Sequence, residues 1–274
     1  MNPPFEVQKI SNHGVNNPIV ARLAIQSNDL LQWLNVKEAK RQEILAHYME
    51  LMRRLLACFD IENRLVNART ETVEYSQKVW REGGHTTPHV ISLEDEVENF
   101  LFASKVYLRE IARLINLLFE AGLENDSKIF WNPKGQKSQL VRWAEKTFGP
   151  KHSTTKMFAS EADWISEVAR KRNAVEHPGG WSGTLRVKNF ERLPDGRIRP
   201  PVWALDDDQE VQETDIYKDI SVLMDNMLTV AEDVLVDAII ANPSFPQVMI
   251  GMIPEQERDE SCPVRLKPTI NLGR

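Results

Sequence analysis

Only two cysteines occur in the 274 residues, Cys58 and Cys262, 204 positions apart. Such a pair makes neither a disulfide framework nor a metal-knuckle spacing, so both are read as reduced thiols of a cytosolic protein and neither as part of a site. Glycine (12) and proline (15) are too few for a collagenous chain, and the balance of 42% hydrophobic against 27% charged residues excludes extended disorder. No stretch approaches the ~18 consecutive apolar residues of a membrane span. The first residues, MNPPFEVQKISNHG, have no basic start followed by an apolar run, so neither a secretion signal nor a transmembrane helix is expected, and the expected location is cytoplasmic. A positive balance is missing too: 34 Lys and Arg against 40 Asp and Glu leave −6. No whole-molecule field draws in nucleic acid or anionic lipid, and a nucleic-acid role must rest on a local patch.

What is present is helical periodicity. Val97, Leu101, Leu108, Ile111, Ile115 and Leu118 recur at three, four or seven positions, predicting a helix from Val97 to Leu123 with Gly122 as its stop. A second long pattern runs from Val211 to Ala241 and ends at Asn242-Pro243, and a third from Val36 to Val66. A shorter helix is expected from Ile19 to Trp33, with Asn35 as separator. Residues 124–159 read as a connector with one short helix around Ser138 to Thr147. Ser160, with Asp163 three residues on, is a candidate N-cap for a helix through DWISEVARKRNAVE, which Pro178 should end at His177. Thr184 to Arg192 and Arg197 to Leu205 alternate around Pro194-Asp195-Gly196 and read as a β-hairpin inserted between helices, its second strand made an edge by Pro200-Pro201. Beyond 242 a strand is expected at Gln247 to Ile253, then polar irregular sequence. The helices predict an all-α class carrying one small β-hairpin insertion, about 184–205.

Chemistry concentrates in Arg170-Lys171-Arg172-Asn173-Ala174-Val175-Glu176-His177-Pro178. In a chain with 6 His, chance supplies roughly 0.4 matches to Arg-x4-His, and requiring Asn or Asp right after the Arg lowers this to roughly 0.05. Arg172 falls about 20° from Ile165 on an ideal helix and shares the apolar stripe of Ile165, Val168 and Val175, so it needs a partner there. Ser166, Arg170, Asn173 and His177 form a neighbouring polar stripe. Arg172 and His177 themselves stand ~140° apart, and converge only if the helix loosens at His177-Pro178 or a second subunit completes the site. Cleaving RNA through its own 2′-hydroxyl, the activity implied by the family resemblance given next, needs an imidazole to move a proton and a fixed cation for the phosphorane, roles that fall to His177 and Arg172 under that resemblance, with Asn173 orienting the imidazole or binding a phosphate oxygen. Trp164 to Pro201 carries a local +4, leaving −10 for the rest. Arg170, Lys171, Arg186, Lys188, Arg197 and Arg199 are therefore candidate RNA contacts, and Trp181 or Trp203 candidate stacking surfaces.

RNAVEH, residues 172–177, resembles the Arg-x4-6-His signature of the HEPN superfamily, in which a polar residue follows the Arg. FLFASKVYLREIARLINLL is similar to an early core helix of that group. The resemblance implies a helical bundle of long antiparallel helices over residues 1–241, hairpin included, with 242–274 as a C-terminal extension. It further implies a homodimer with the two motifs at a shared cleft, and an endoribonuclease that needs no metal or other cofactor, in a toxin-like stress or phage-defence role. A cognate antitoxin or a nucleotidyltransferase is the implied partner, although Gly179 stands where the nucleotidyltransferase-linked subgroup has its Tyr. The alternative is a non-catalytic HEPN-type dimer that binds RNA or protein.

Plainer readings compete at each position. Arg172 can be a structural ion-pair partner, for Glu110 or another helix carboxylate, and His177 a cap on the helix dipole. Arg41 and His47 lie within one amphipathic helix and read as a solvated face. His85 and His89, flanked by Gly83-Gly84 and Pro88, read as loop histidines rather than metal ligands. Trp143, Trp164, Trp181 and Trp203 fit core and hairpin packing, and Asp206-Asp207-Asp208 fits the positive end of the following helix.

Overall fold

A computed structural model describes residues 11–132, 136–206 and 212–270. The chain divides into two compact units, one of Met1–Arg53 with Val234–Arg274 and one of Arg54–Asp233, so both boundaries fall inside long helices. In the first unit, Asn17 caps α1 (Pro18–Val20) by accepting from the Ile19 amide at 2.8 Å, with Pro18 fixing the first helical φ. The segment continues through a π-helical stretch, Ala21–Gln26, into α2 (Ser27–Leu31). Asn35 does more than separate helices. Its amide N–H donates to the Asn242 carbonyl at 2.9 Å, and the Asn242 side-chain amide donates back to the Asn35 carbonyl. The strand expected at Gln247 to Ile253 is β6 (Val248–Met252), but the sequence after it is not irregular throughout, because Leu266–Ile270 returns as an antiparallel partner, β7. Buried Gln26 accepts from the amides of Arg265 and Leu266 at 2.6 and 2.7 Å, which ties β7 to the π-helical stretch.

Helix α3 (Glu38–Arg81) passes through both units and runs fifteen residues beyond the expected end at Val66. Past Val66 the helix is largely solvated, so the apolar period fades while nothing breaks the backbone until Gly83, whose φ of 83° lets its amide reach the Trp80 carbonyl. In the second unit, α4 (Leu93–Phe119) starts one turn early on Glu94, Asp95 and Glu96, which favour the positive helix end. It also stops before Gly122. Asn116 accepts from the Leu123 amide and donates to its carbonyl, and this bracket bends the chain with Glu120 in a left-handed conformation. A 3₁₀ turn (Ser127–Phe130) and α5 (Gln139–Phe148), capped by Ser138, follow. Helix α6 (Ser153–Glu176) begins well before the expected N-cap. His152 caps it, while Ser160 merely bonds back to the Met157 carbonyl. Phe158, buried in that extra turn, joins Phe119, Trp143 and Phe148 in an aromatic cluster with edge-on contacts.

The all-α expectation is overturned, because the structure is 60% helical and its described residues form seven strands in three small antiparallel sheets, a mixed α/β protein. The hairpin is split: β1 (Thr184–Lys188) pairs with β4 (Val202–Asp206), while β2 (Glu191–Arg192) and β3 (Ile198–Arg199) pair nearer the tip, with Pro200-Pro201 interrupting the ladder between. Nor is the second strand an edge. Thr214–Asp215, as β5, adds to its other side, so β4 is central and Val202, Trp203 and Ala204 are buried. Helix α7 (Ile216–Ala241) follows directly, and the Tyr107 hydroxyl of α4 donates to its Met227 carbonyl at 2.7 Å. Among the described residues no helix is long and apolar enough to cross a membrane.

Candidate functional site

The C-terminal end of α6 is built by its own sequence. The last helical hydrogen bond runs from the His177 amide to the Asn173 carbonyl, and His177 leaves the helix at φ −133°, ψ 68°. Pro178 forbids continuation. The chain then folds back twice, the Gly180 amide donating to the His177 carbonyl and the Gly183 amide to the Gly180 carbonyl, each at 2.9 Å. Gly179 sits at φ 74°, and a Cβ on Gly180 would stand 3.0 Å from the His177 carbonyl oxygen. Both positions therefore call for glycine. This loop leaves the His177 side chain 69% exposed and launches β1 from Thr184.

Arg172 lies where the helical wheel puts it, beside Ile165 and Val168, with its side chain only 11% exposed. Its partner is Glu176, one turn on, rather than Glu110, which binds Arg113 at 2.9 Å. The Nη2 of Arg172 donates to Glu176 Oε1 at 2.6 Å, Nη1 meets Glu176 Oε2 and donates to Asn173 Oδ1 at 3.2 Å, and Nε is buried without a hydrogen-bond partner among the described residues. The guanidinium rests over Phe102 of α4, 5.4 Å from the ring centre. Glu176 Oε2 also lies 3.5 Å from His177 Nε2. Arg172 and His177 thus meet on one carboxylate, because the helix loosens at His177. Burial, then the Arg172 charge, hold the Lys105 ammonium of α4 below its usual pKa, with Glu176 pulling the other way.

The six candidate RNA contacts are each ion-paired within the chain. Arg170 and Lys171 share Glu167, at 3.3 and 2.6 Å, and the Lys171 ammonium lies over the Trp203 ring. Arg186 pairs with Asp206, Lys188 and Arg199 share Glu213, Arg199 also meets Glu191, and Arg197 binds Asp195 at the turn. The +4 window ends at Pro201, and strand pairing brings Asp206 and Glu213 to it from outside. Of the two stacking candidates, Trp203 is 1% exposed and donates its indole N–H to Asp219 at 2.6 Å, so no base can reach it. Trp181 is 67% exposed beside the His177 loop, edge-on to Trp131 with ring centres 4.8 Å apart. A cavity of about 470 Å³ opens beside Trp164, Glu167, Arg170, Lys171, Trp203 and Asp219, and neither Arg172 nor His177 lines it.

Glu176, Phe102, Lys105 and Trp131 escaped the sequence reading. Glu176 carried a signal, being four residues after Arg172. The others did not, since α4 and the 3₁₀ turn meet α6 only in three dimensions. His85 and His89 lie in the loop between α3 and α4, and among the described residues no three His, Cys, Asp or Glu gather as a metal would require. Asp207 and Asp208 lie outside the described residues. Buried Cys58 has its thiol pushed up to about 12 by desolvation. No known family, curated protein or solved structure matches this chain.

Proposed function

We propose that this chain is an endoribonuclease of the HEPN type, acting at the end of α6 without a metal, as a cytoplasmic homodimer in stress or phage defence with a cognate antitoxin as its protein partner. The observation that supports it is the meeting of Arg172 and His177 on one carboxylate, against the ~140° that a regular helix would keep between them. In this reading the 2′-hydroxyl oxygen of the RNA attacks phosphorus while the His177 imidazole takes its proton. The P–O5′ bond breaks, and the same proton returns to the departing oxygen, leaving a 2′,3′-cyclic phosphate and a 5′-hydroxyl. Arg172 takes the two non-bridging oxygens as their charge grows, held in place by Asn173 and the Phe102 face. Exposed Trp181 offers its face to an unpaired base.

Purified protein incubated with total RNA in EDTA, beside His177→Ala, tests the proposal. Cleavage ending in cyclic phosphate is expected, with a loss of about 10²–10⁴-fold in the variant and little change in RNA affinity. Wild-type rates from His177→Ala overturn it. Binding without cleavage by the wild type does so too, and leaves the non-catalytic RNA- or protein-binding dimer, a reading favoured by the Glu176 carboxylate that already fills the Arg172 fork.

A further inference from the structure

Glu176 is badly placed for a residue that only stabilises its helix. It is the last residue of α6, where the helix dipole disfavours an anion, and it follows its cation by four positions, the weaker order for such a pair. What surrounds it is a set of groups that favour an anion. Arg172 presents two N–H groups from the same helix, His177 stands at 3.5 Å from the loop, and Lys105 faces the pair from α4, itself neighboured by Arg109 and Asp126. The guanidinium is not saturated either, since its Nε is buried and unpartnered among the described residues.

Two carboxylate oxygens on Nη1 and Nη2 occupy the seat that two phosphate oxygens would take, in the same forked geometry and with the same single charge per phosphodiester. Exchange leaves the local charge balance around Arg172 and Lys105 unchanged. The displaced Glu176 then has a second partner within a short rotation, because its Oε2 is already 3.5 Å from His177 Nε2, just outside hydrogen-bond length. Resting on the nuclease reading of this helix end, we infer that Glu176 is a positioning residue: it guards the phosphate seat on Arg172 while the site is empty and, displaced by phosphate, orients His177 through Nε2. Proton transfer to and from the RNA then falls to Nδ1.

Glu176→Gln keeps the shape and removes the charge, and Glu176→Asp keeps the charge on a shorter arm. Affinity is read with a fully 2′-O-methylated RNA, which cannot cyclise, and turnover with the unmodified RNA. With the competing anion gone, Glu176→Gln is expected to bind the methylated RNA about three- to tenfold tighter while kcat falls about tenfold. Glu176→Asp, which keeps the anion, returns kcat to within about threefold of wild type and restores the wild-type affinity, a rescue that merely structural damage would not give. Unchanged affinity and unchanged kcat in Glu176→Gln, with an active wild type, overturn the inference and leave Glu176 a helix-end ion pair. Weaker binding of the methylated RNA by Glu176→Gln, with the fold intact by circular dichroism, overturns it as well. A wild type that cleaves no RNA instead overturns the nuclease reading beneath it, and the His177 part of the inference falls with that reading.

Discussion

Replacing Trp203 with Phe tests whether β4 belongs to the core or to a peripheral insertion. The indole is buried on the central strand of its sheet, its N–H donates to Asp219 Oδ2 at 2.6 Å, and the Lys171 ammonium lies 5.0 Å from the ring centre. Phenylalanine keeps an aromatic face for Lys171 but has no donor, so Asp219 is left with the Thr214 hydroxyl. A hydrogen bond to a charged acceptor contributes about 1.5–3 kcal/mol. The smaller ring leaves unfilled volume in the interior, and the two together cost about 2–4 kcal/mol. For a unit of this size that lowers Tm by about 4–16 °C. Urea denaturation gives the free energy and a thermal melt the shift, with Arg197→Gln at the exposed hairpin tip as a control that should stay within about 0.5 kcal/mol of wild type. A Trp203→Phe cost below about 0.5 kcal/mol would refute the reasoning, and would return the hairpin to the status of an appendage.

Reversing the charges of Arg186, Lys188, Arg197 and Arg199 should weaken RNA binding at every sequence and flatten its log–log salt dependence by about 0.7 units for each phosphate no longer neutralised, with little effect on folding from the first three, whose side chains are about half exposed or more, and a larger one from Arg199, which is only 26% exposed. Unchanged affinity and slope would leave the hairpin a solvated surface satisfied by Asp195, Asp206, Glu191 and Glu213. Sedimentation at micromolar concentration should return twice the chain mass, and a monomer would count against a site shared between two copies. In the native protein at pH 8, Cys58 should resist alkylation, since a thiol pushed up to about 12 holds only about one part in 10⁴ as thiolate, while half-buried Cys262 reacts. Cys58 should become reactive only in denaturant, and equal labelling of both in the native state would contradict its burial.

Local rules decided much of this chain before any folding in space. Pro178 and two glycines end α6 at Glu176, Ser138 starts α5, Asn242-Pro243 ends α7, and the alternation around Pro194-Asp195-Gly196 makes a hairpin. Each depends on backbone sterics or capping within a few residues, and so can be read from neighbours in sequence. The placement of Arg172 on an apolar stripe was legible for the same reason, as helical geometry follows from spacing alone. Where nonlocal contacts compete, local rules were not enough. Helix α3 continues past Val66 because a solvated helix needs no apolar period, α4 stops before Gly122 because Asn116 brackets the turn, and β4 is central because β5 joins it from across an intervening segment. The same holds for charge. A window sum sees only consecutive residues, whereas an electrostatic field depends on distance in space, and strand pairing set Asp206 and Glu213 against the cations of the basic window. The convergence of Arg172 and His177 needed both levels. Sequence placed the helix end at His177, and only the three-dimensional course of the next residue, with Glu176 turned between them, brought the two side chains onto one carboxylate.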